Sequence, residues 1–137
     1  MIEIRKEALT LDLKKRIYEG LRRHAIEKIG FDEIFDEVAF VAINEEKIIG
    51  AVVVESFWGA LHIKDLYVED QYRDKKIASN LMQMVFKYAS DNKCLFAFVE
   101  TFSFQAVGFY QKLGFKLEFT RSGYNHGISL HYLCKGL

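Results

Sequence analysis

Two stretches of this 137-residue chain combine residue types that could do chemistry. The first runs Leu66-Tyr67-Val68, then Gln71-Tyr72-Arg73-Asp74-Lys75-Lys76-Ile77-Ala78. It predicts a strand feeding a short polar loop that opens a helix. The first turn of a helix leaves backbone N–H groups without partners and carries partial positive charge, which suits a phosphate. Arg73, Lys75 and Lys76 add three cations within four positions. A solvated charged loop accounts for the same residues. The second stretch is Phe104-Gln105-Ala106-Val107-Gly108-Phe109-Tyr110-Gln111-Lys112-Leu113-Gly114-Phe115. It puts a phenol, Tyr110, on a short helix just after a buried strand, although Phe109 and Tyr110 also fit as core aromatics.

The elements that must position these stretches follow from period and punctuation. Met1–Arg5 alternates apolar and polar residues, a strand signal. Leu13, Ile17, Leu21 and Ala25 recur every fourth residue, predicting an amphipathic helix from Asp12 to a stop at Gly30. Val38–Ile43 and Ile48–Phe57 predict strands joined by a hairpin turn at Asn44-Glu45-Glu46-Lys47, and Leu61–Val68 a third strand. Ile77–Ala89 returns to helical period and stops at Asn92. Leu95–Val99 is fully apolar, as in a strand buried on both faces. A helix over Phe104–Leu113 ends at Gly114, with Phe115 as the apolar contact of a left-handed cap. Phe115–Thr120 and Ser129–Leu133 predict closing strands around a Gly123–Gly127 turn. Strands joined by helices in the centre, with hairpins at both ends, imply an α/β (α+β) fold: a mixed, mostly antiparallel central sheet with helices on both faces.

Composition narrows the function classes. The length fits one domain over residues 1–137. Half the residues are apolar, enough for a core without disulfide or metal. Nineteen basic residues balance nineteen acidic ones, so no net field draws the chain to nucleic acid or an anionic membrane. No leader or membrane-length apolar run is present, and Cys94 and Cys134 are expected as reduced thiols within strands, consistent with a cytoplasmic protein.

Together the two stretches resemble the GNAT superfamily of acetyltransferases, in the same order and at the expected separation. That family's acetyl-CoA loop is Arg/Gln-x-x-Gly-x-Gly/Ala after an apolar strand ending in Val, a frame filled here by Arg73–Ala78 after Leu66-Tyr67-Val68. Its later block, Ala-x-x-x-Tyr-x-x-x-Gly-Phe, is matched by Ala106, Tyr110, Gly114 and Phe115 without gaps. The likeness spans essentially the whole chain and implies the GNAT acyl-CoA N-acyltransferase fold. Two departures stand out. Asp74 and Lys76 occupy positions where relatives commonly carry glycine, and Ser103 stands where many carry Asn. Glycine serves there because the backbone approaches a pyrophosphate closely, sometimes with φ above zero. Lys76 offers a cation in place of that freedom.

The resemblance implies acetyl-CoA as co-substrate, no metal, and direct transfer to an amine in a ternary complex; peptide N-termini, lysines, polyamines and drugs are all open as acceptors, and the shortness of the chain favours a small molecule. Backbone groups of Leu66, Tyr67 and Val68 would pair with the pantetheine arm between two splayed strands. Amides from Arg73 through Asp74, Lys75, Lys76, Ile77 and Ala78 to Ser79 would hold the pyrophosphate, with Ser103, Ala106 and Phe109 further along the cofactor. The family's catalytic carboxylate position falls on His62, with Glu100 as a competing base. An alkylammonium of pKa about 10.4 lies roughly 4 units above an imidazole, so full proton transfer costs on the order of 5 kcal/mol. Tyr110 matches the general acid facing the CoA sulfur. Acceptor walls would come from the Leu13–Ile29 helix (Tyr18, Arg22, Arg23, His24), Phe57, Trp58, and Tyr124 and His126 of the closing turn. These also fit as surface positions. The closing strands offer a surface for a homodimer. A non-catalytic acyl-CoA-binding or regulatory domain with the same fold is the alternative.

Overall fold

A computed structural model describes all residues 1–137, which fall into two compact units, Met1–Ile34 and Phe35–Leu137. In the first, residues 1–10 form no strand: alternation alone, without a paired neighbour, leaves Met1–Arg5 as exposed chain. Helix α1 (Leu11–Ile29) starts where the Thr10 hydroxyl accepts the Leu13 N–H at 3.1 Å and stops at Gly30, φ 90°. No residue of α1 is buried, so its apolar period does not generate a core stripe.

The second unit is built on a six-stranded sheet, in spatial order β1-β2-β3-β4-β6-β5. The strands are β1 (Val38–Asn44), β2 (Lys47–Phe57), β3 (Ala60–Val68), β4 (Phe96–Phe102), β5 (Lys116–Arg121) and β6 (Leu130–Gly136). All neighbours are antiparallel except β3 and β4, which are joined through helix α2 (Ile77–Asp91). The β1–β2 hairpin closes with Glu45 and Glu46 both at positive φ, 49° and 65°, the two-residue turn whose twist matches paired strands. Leu81, Met82, Val85 and Ala89 of α2 join Val52, Val54, Leu61, Ile63, Ala97, Val99 and Leu133 in one core. Strand β4 alternates buried and partly exposed residues, so it is covered on one face where its apolar run suggested both. Helix α3 (Val107–Lys112) is shorter than expected from sequence. The Gln105 side chain takes the Phe102 N–H at 2.9 Å, making a turn of the residues before it. Cys94 is buried in the turn before β4, outside any strand, and Cys134 lies partly buried in β6; both are free. No helix is long and apolar enough to cross a membrane.

Candidate active site

The sheet opens between β3 and β4. Their parallel pairing runs only from Ala60↔Phe96 to Ile63↔Val99. Beyond that β3 continues beside β2 as far as Val68, while β4 continues beside β6 as far as Phe102. The cause is local. The β2–β3 register jumps from Val54↔Ile63 to Val53↔Asp65, leaving Lys64 as the extra residue of a bulge, and a bulge bends and twists its strand.

The bulge also fixes which groups line the opening. The Glu69 N–H donates to the Ile49 carbonyl at 2.8 Å, so Gly50↔Val68 and Val52↔Leu66 are non-hydrogen-bonded pairs. The N–H groups of Leu66 and Val68 therefore point away from β2, into the gap that β4 has left. Tyr67 directs its backbone groups towards β2.

Past the end of β3 the chain makes the turn expected to bind phosphate. Asp74 and Lys76 have φ of 62° and 61°, so both non-glycine residues adopt the left-handed conformation that glycine would take freely. Lys76 is the N-cap of α2 and provides no side-chain cap, and the first backbone donor to find an acceptor is Asn80, onto the Lys76 carbonyl at 2.9 Å. The six N–H groups from Asp74 to Ser79 have no acceptor within the chain. Consecutive amides around left-handed residues at a helix start form a concavity for an anion. Arg73 is committed elsewhere: its Nε donates to the Val68 carbonyl at 3.1 Å, and its guanidinium reaches Asp70 at 3.0 Å. Lys75 and Lys76 are exposed, with the Lys75 ammonium 5.8 Å from the Tyr72 ring centroid.

His62 and Glu100 meet where the strands part. His62 Nε2 lies 2.7 Å from Glu100 Oε2, and Nδ1 lies 3.4 Å from Glu55 Oε1. Register explains the assembly: Glu55 stands opposite His62, and His62 opposite Phe98, two residues before Glu100 on the same face of β4. The Phe98 ring stacks on the imidazole at 4.5 Å, 4° from parallel. Lys64 Nζ is 3.3 Å from Glu37 and 3.9 Å from Glu55.

Tyr110 is 5% exposed, its ring set edgewise against Phe109 at 5.2 Å and Phe115 at 5.5 Å. Burial pushes the phenol up to about 12. Its hydroxyl makes no hydrogen bond within the chain, and its ring is part of the buried core with Val99, Phe115 and Leu133, as a core aromatic would be. The helix carrying it is placed by Ala106, whose N–H donates to Thr101 Oγ1 at 3.3 Å, and ends at Gly114, φ 96°, where the Phe115 N–H returns to the Tyr110 carbonyl. Ser103 receives the Ser129 N–H on its hydroxyl at 3.1 Å and so ties β4 to the start of β6.

Of the residues expected from sequence, the structure joins His62 directly to Glu100, and gathers Leu66, Val68 and Asp74–Ser79 on one continuous path from strand to helix. It turns Arg73 and Ser103 to bonds within the chain. Glu55 and Lys64 were not expected. The signal for Lys64 is the apolar phase of β3, odd at Leu61 and Ile63 but even at Leu66 and Val68. That for Glu55 is a lone carboxylate in the apolar run Ile48–Phe57.

A family model described as the acetyltransferase (GNAT) family matches residues 6–115. Blasticidin-S acetyltransferase of Streptomyces morookaense is 35% identical over 89 residues, which are 64% of this chain and 65% of that protein's length. An acetyltransferase from Bacillus cereus ATCC 14579 superposes with a TM-score of 0.78 at 27% identity, covering 98% of both chains. A GNAT family acetyltransferase from Elizabethkingia anophelis, solved with acetyl-CoA bound, shares the fold with a TM-score of 0.63 at 20% identity, over 72% of this chain and 75% of its own.

Proposed function

The chain belongs to the acetyltransferase (GNAT) family, and from that premise we propose that it is an N-acetyltransferase, moving the acetyl group of acetyl-CoA to a primary amine of a small molecule. The observation that carries this reading is the run of six unpartnered N–H groups at Asp74–Ser79, continuous with the β3–β4 opening. The family match runs across both compact units, which supports treating residues 1–137 as one domain.

Acetyl-CoA supplies a thioester that an amine attacks directly, with CoA leaving as its thiol. The Asp74–Ser79 amides are the binding site for its diphosphate, with Lys75 and Lys76 adding charge from outside. The Leu66 and Val68 N–H groups face the opening and are the donors for the pantetheine arm and the thioester carbonyl. Glu100, backed by His62, takes the proton of the acceptor ammonium. Tyr110 donates a hydrogen bond to the departing sulfur. Transferring its proton outright from a pKa of about 12 to a thiolate near 8.5 would cost about 5 kcal/mol, so the phenol stays protonated and the thiolate takes the second proton shed by the nitrogen as it becomes the amide. The two free cysteines support a reducing, cytoplasmic setting.

Release of free thiol from acetyl-CoA is the test, across a panel of small primary amines that includes blasticidin S. Amine-dependent release above the hydrolysis background is expected. Acetyl-CoA binding without release on any amine would instead support the non-catalytic acyl-CoA-binding domain.

A further inference from the structure

Beyond Val99 the β4 strand has no strand partner on its β3 side, and its last residues there are Glu100, Thr101 and Phe102. Alternation buries Thr101 and puts Glu100 and Phe102 together on the opposite face, about 7 Å apart along the strand. Their cross-strand partners on β6 are Tyr132 and Leu130, so the face passes from a carboxylate beside a phenol to a ring beside an aliphatic. Two more aromatics extend it. The Phe104 ring lies parallel to that of Phe102, with centroids 5.7 Å apart and 2° between planes. Tyr124 stands at 88° to Phe102, at 5.8 Å. Phe104 is 68% exposed and Tyr124 37%, and none of the three rings belongs to the hydrophobic core.

Backbone bonds hold the three rings in place. The Ser103 N–H donates to the Ser129 carbonyl at 2.8 Å and the Ser129 N–H to the Ser103 hydroxyl at 3.1 Å, tying the Phe104 segment to the turn that carries Tyr124. The Gln105 side chain fixes the Phe102 N–H at 2.9 Å. Rings held this way lose little freedom when a ligand stacks on them. The surrounding charge selects the ligand. Between Thr101 and Lys135 the one side-chain carboxylate is Glu118, and the β5 residue opposite Leu130 is Arg121. A second cation on the acceptor would meet repulsion here, whereas a planar ring extends the stack.

We propose that Phe102, Phe104 and Tyr124 form the acceptor subsite for an aromatic group, so that the amine acetylated is an arylalkylamine. Its nitrogen reaches Glu100 while its ring packs against Phe104 and Tyr124. The spacing of Glu100 and Phe102 matches about three methylenes between nitrogen and ring. This rests on the reading of the chain as an acetyltransferase with Glu100 taking the ammonium proton, and it names the class of amine.

The test compares 3-phenylpropylamine with n-propylamine by thiol release at saturating acetyl-CoA, in the parent, Phe104→Ala and Tyr124→Ala. The parent should prefer the phenyl amine in kcat/KM by at least about 10-fold, the gain from burying and stacking one ring. Either substitution should cut that preference by roughly 3- to 10-fold. The change should fall on KM for the phenyl amine, because stacking holds the bound amine and the transition state alike. A ratio between two amines cancels any loss of folded enzyme. A parent without the preference, or a preference that survives both substitutions, overturns the aromatic subsite and leaves the acetyltransferase reading standing. If no amine releases thiol at all, that reading fails and this inference fails with it.

Discussion

Replacing Tyr110 by Phe removes one oxygen and leaves the ring in its edgewise packing with Phe109 and Phe115. Because the hydroxyl bonds to nothing in the chain, no partner is orphaned, and stability should change by less than about 1 kcal/mol. The same oxygen is assigned a hydrogen bond to a sulfur that gains negative charge as it leaves. Hydrogen bonds to charged groups are worth roughly 1.5–3 kcal/mol, which sets the loss in kcat at about 10- to 100-fold. Since the bond strengthens only as the thiolate forms, the KM for acetyl-CoA should stay within about twofold. Thiol release measures kcat, calorimetric titration the binding, and thermal melting the fold. A Phe variant within about twofold of the parent kcat would refute the assignment of Tyr110. A variant that lost binding and turnover together would show the phenol to be structural.

Three further outcomes follow from backbone strain and burial. Lys76→Gly should be more stable than Lys76→Ala by about 1 kcal/mol in denaturant unfolding, because Ala is strained at a φ of 61° and Gly is not. Glu46→Gly should raise stability by roughly 0.5–1 kcal/mol by the same measure, since its φ of 65° lies in a two-residue hairpin turn that favours glycine. Tyr110 has a folded-state pKa raised from 10.0 to about 12, so its contribution is fully present below pH 10 and lost as pH rises towards 12. The alkaline loss should reach roughly 3 kcal/mol, and the difference between parent and Tyr110→Phe in pH-dependent melting should isolate it.

Much of the scaffold was legible because its signals are local. The Asn44–Lys47 turn, Gly30 and Gly114 as stops, and the helical period of Ile77–Ala89 each depend on a few neighbouring residues, and each element formed where those residues placed it. Met1–Arg5 failed because a strand needs a partner that its own alternation cannot provide. The candidate site divides the same way. The Asp74–Ser79 turn is contiguous, so its place between strand and helix was legible, but its backbone was not: Lys76 was expected to trade glycine's freedom for a cation, and instead both it and Asp74 take the left-handed conformation. The Glu55–His62–Glu100 array joins three strands through register, and the separation of 38 residues between His62 and Glu100 leaves no periodic trace. The bulge at Lys64 did leave one, a change of apolar phase within a single strand, but a regular period of two passes over it.

The account turns on a diphosphate resting on the amides of the α2 turn while the pantetheine arm enters the sheet. Backbone amide resonances followed by NMR during titration with acetyl-CoA test this residue by residue. The largest displacements should fall on Asp74–Ser79, with Leu66 and Val68 moving in the same saturable step and Tyr67 moving less. A titration that saturates with those amides unmoved would contradict the account, as would the absence of any saturable change.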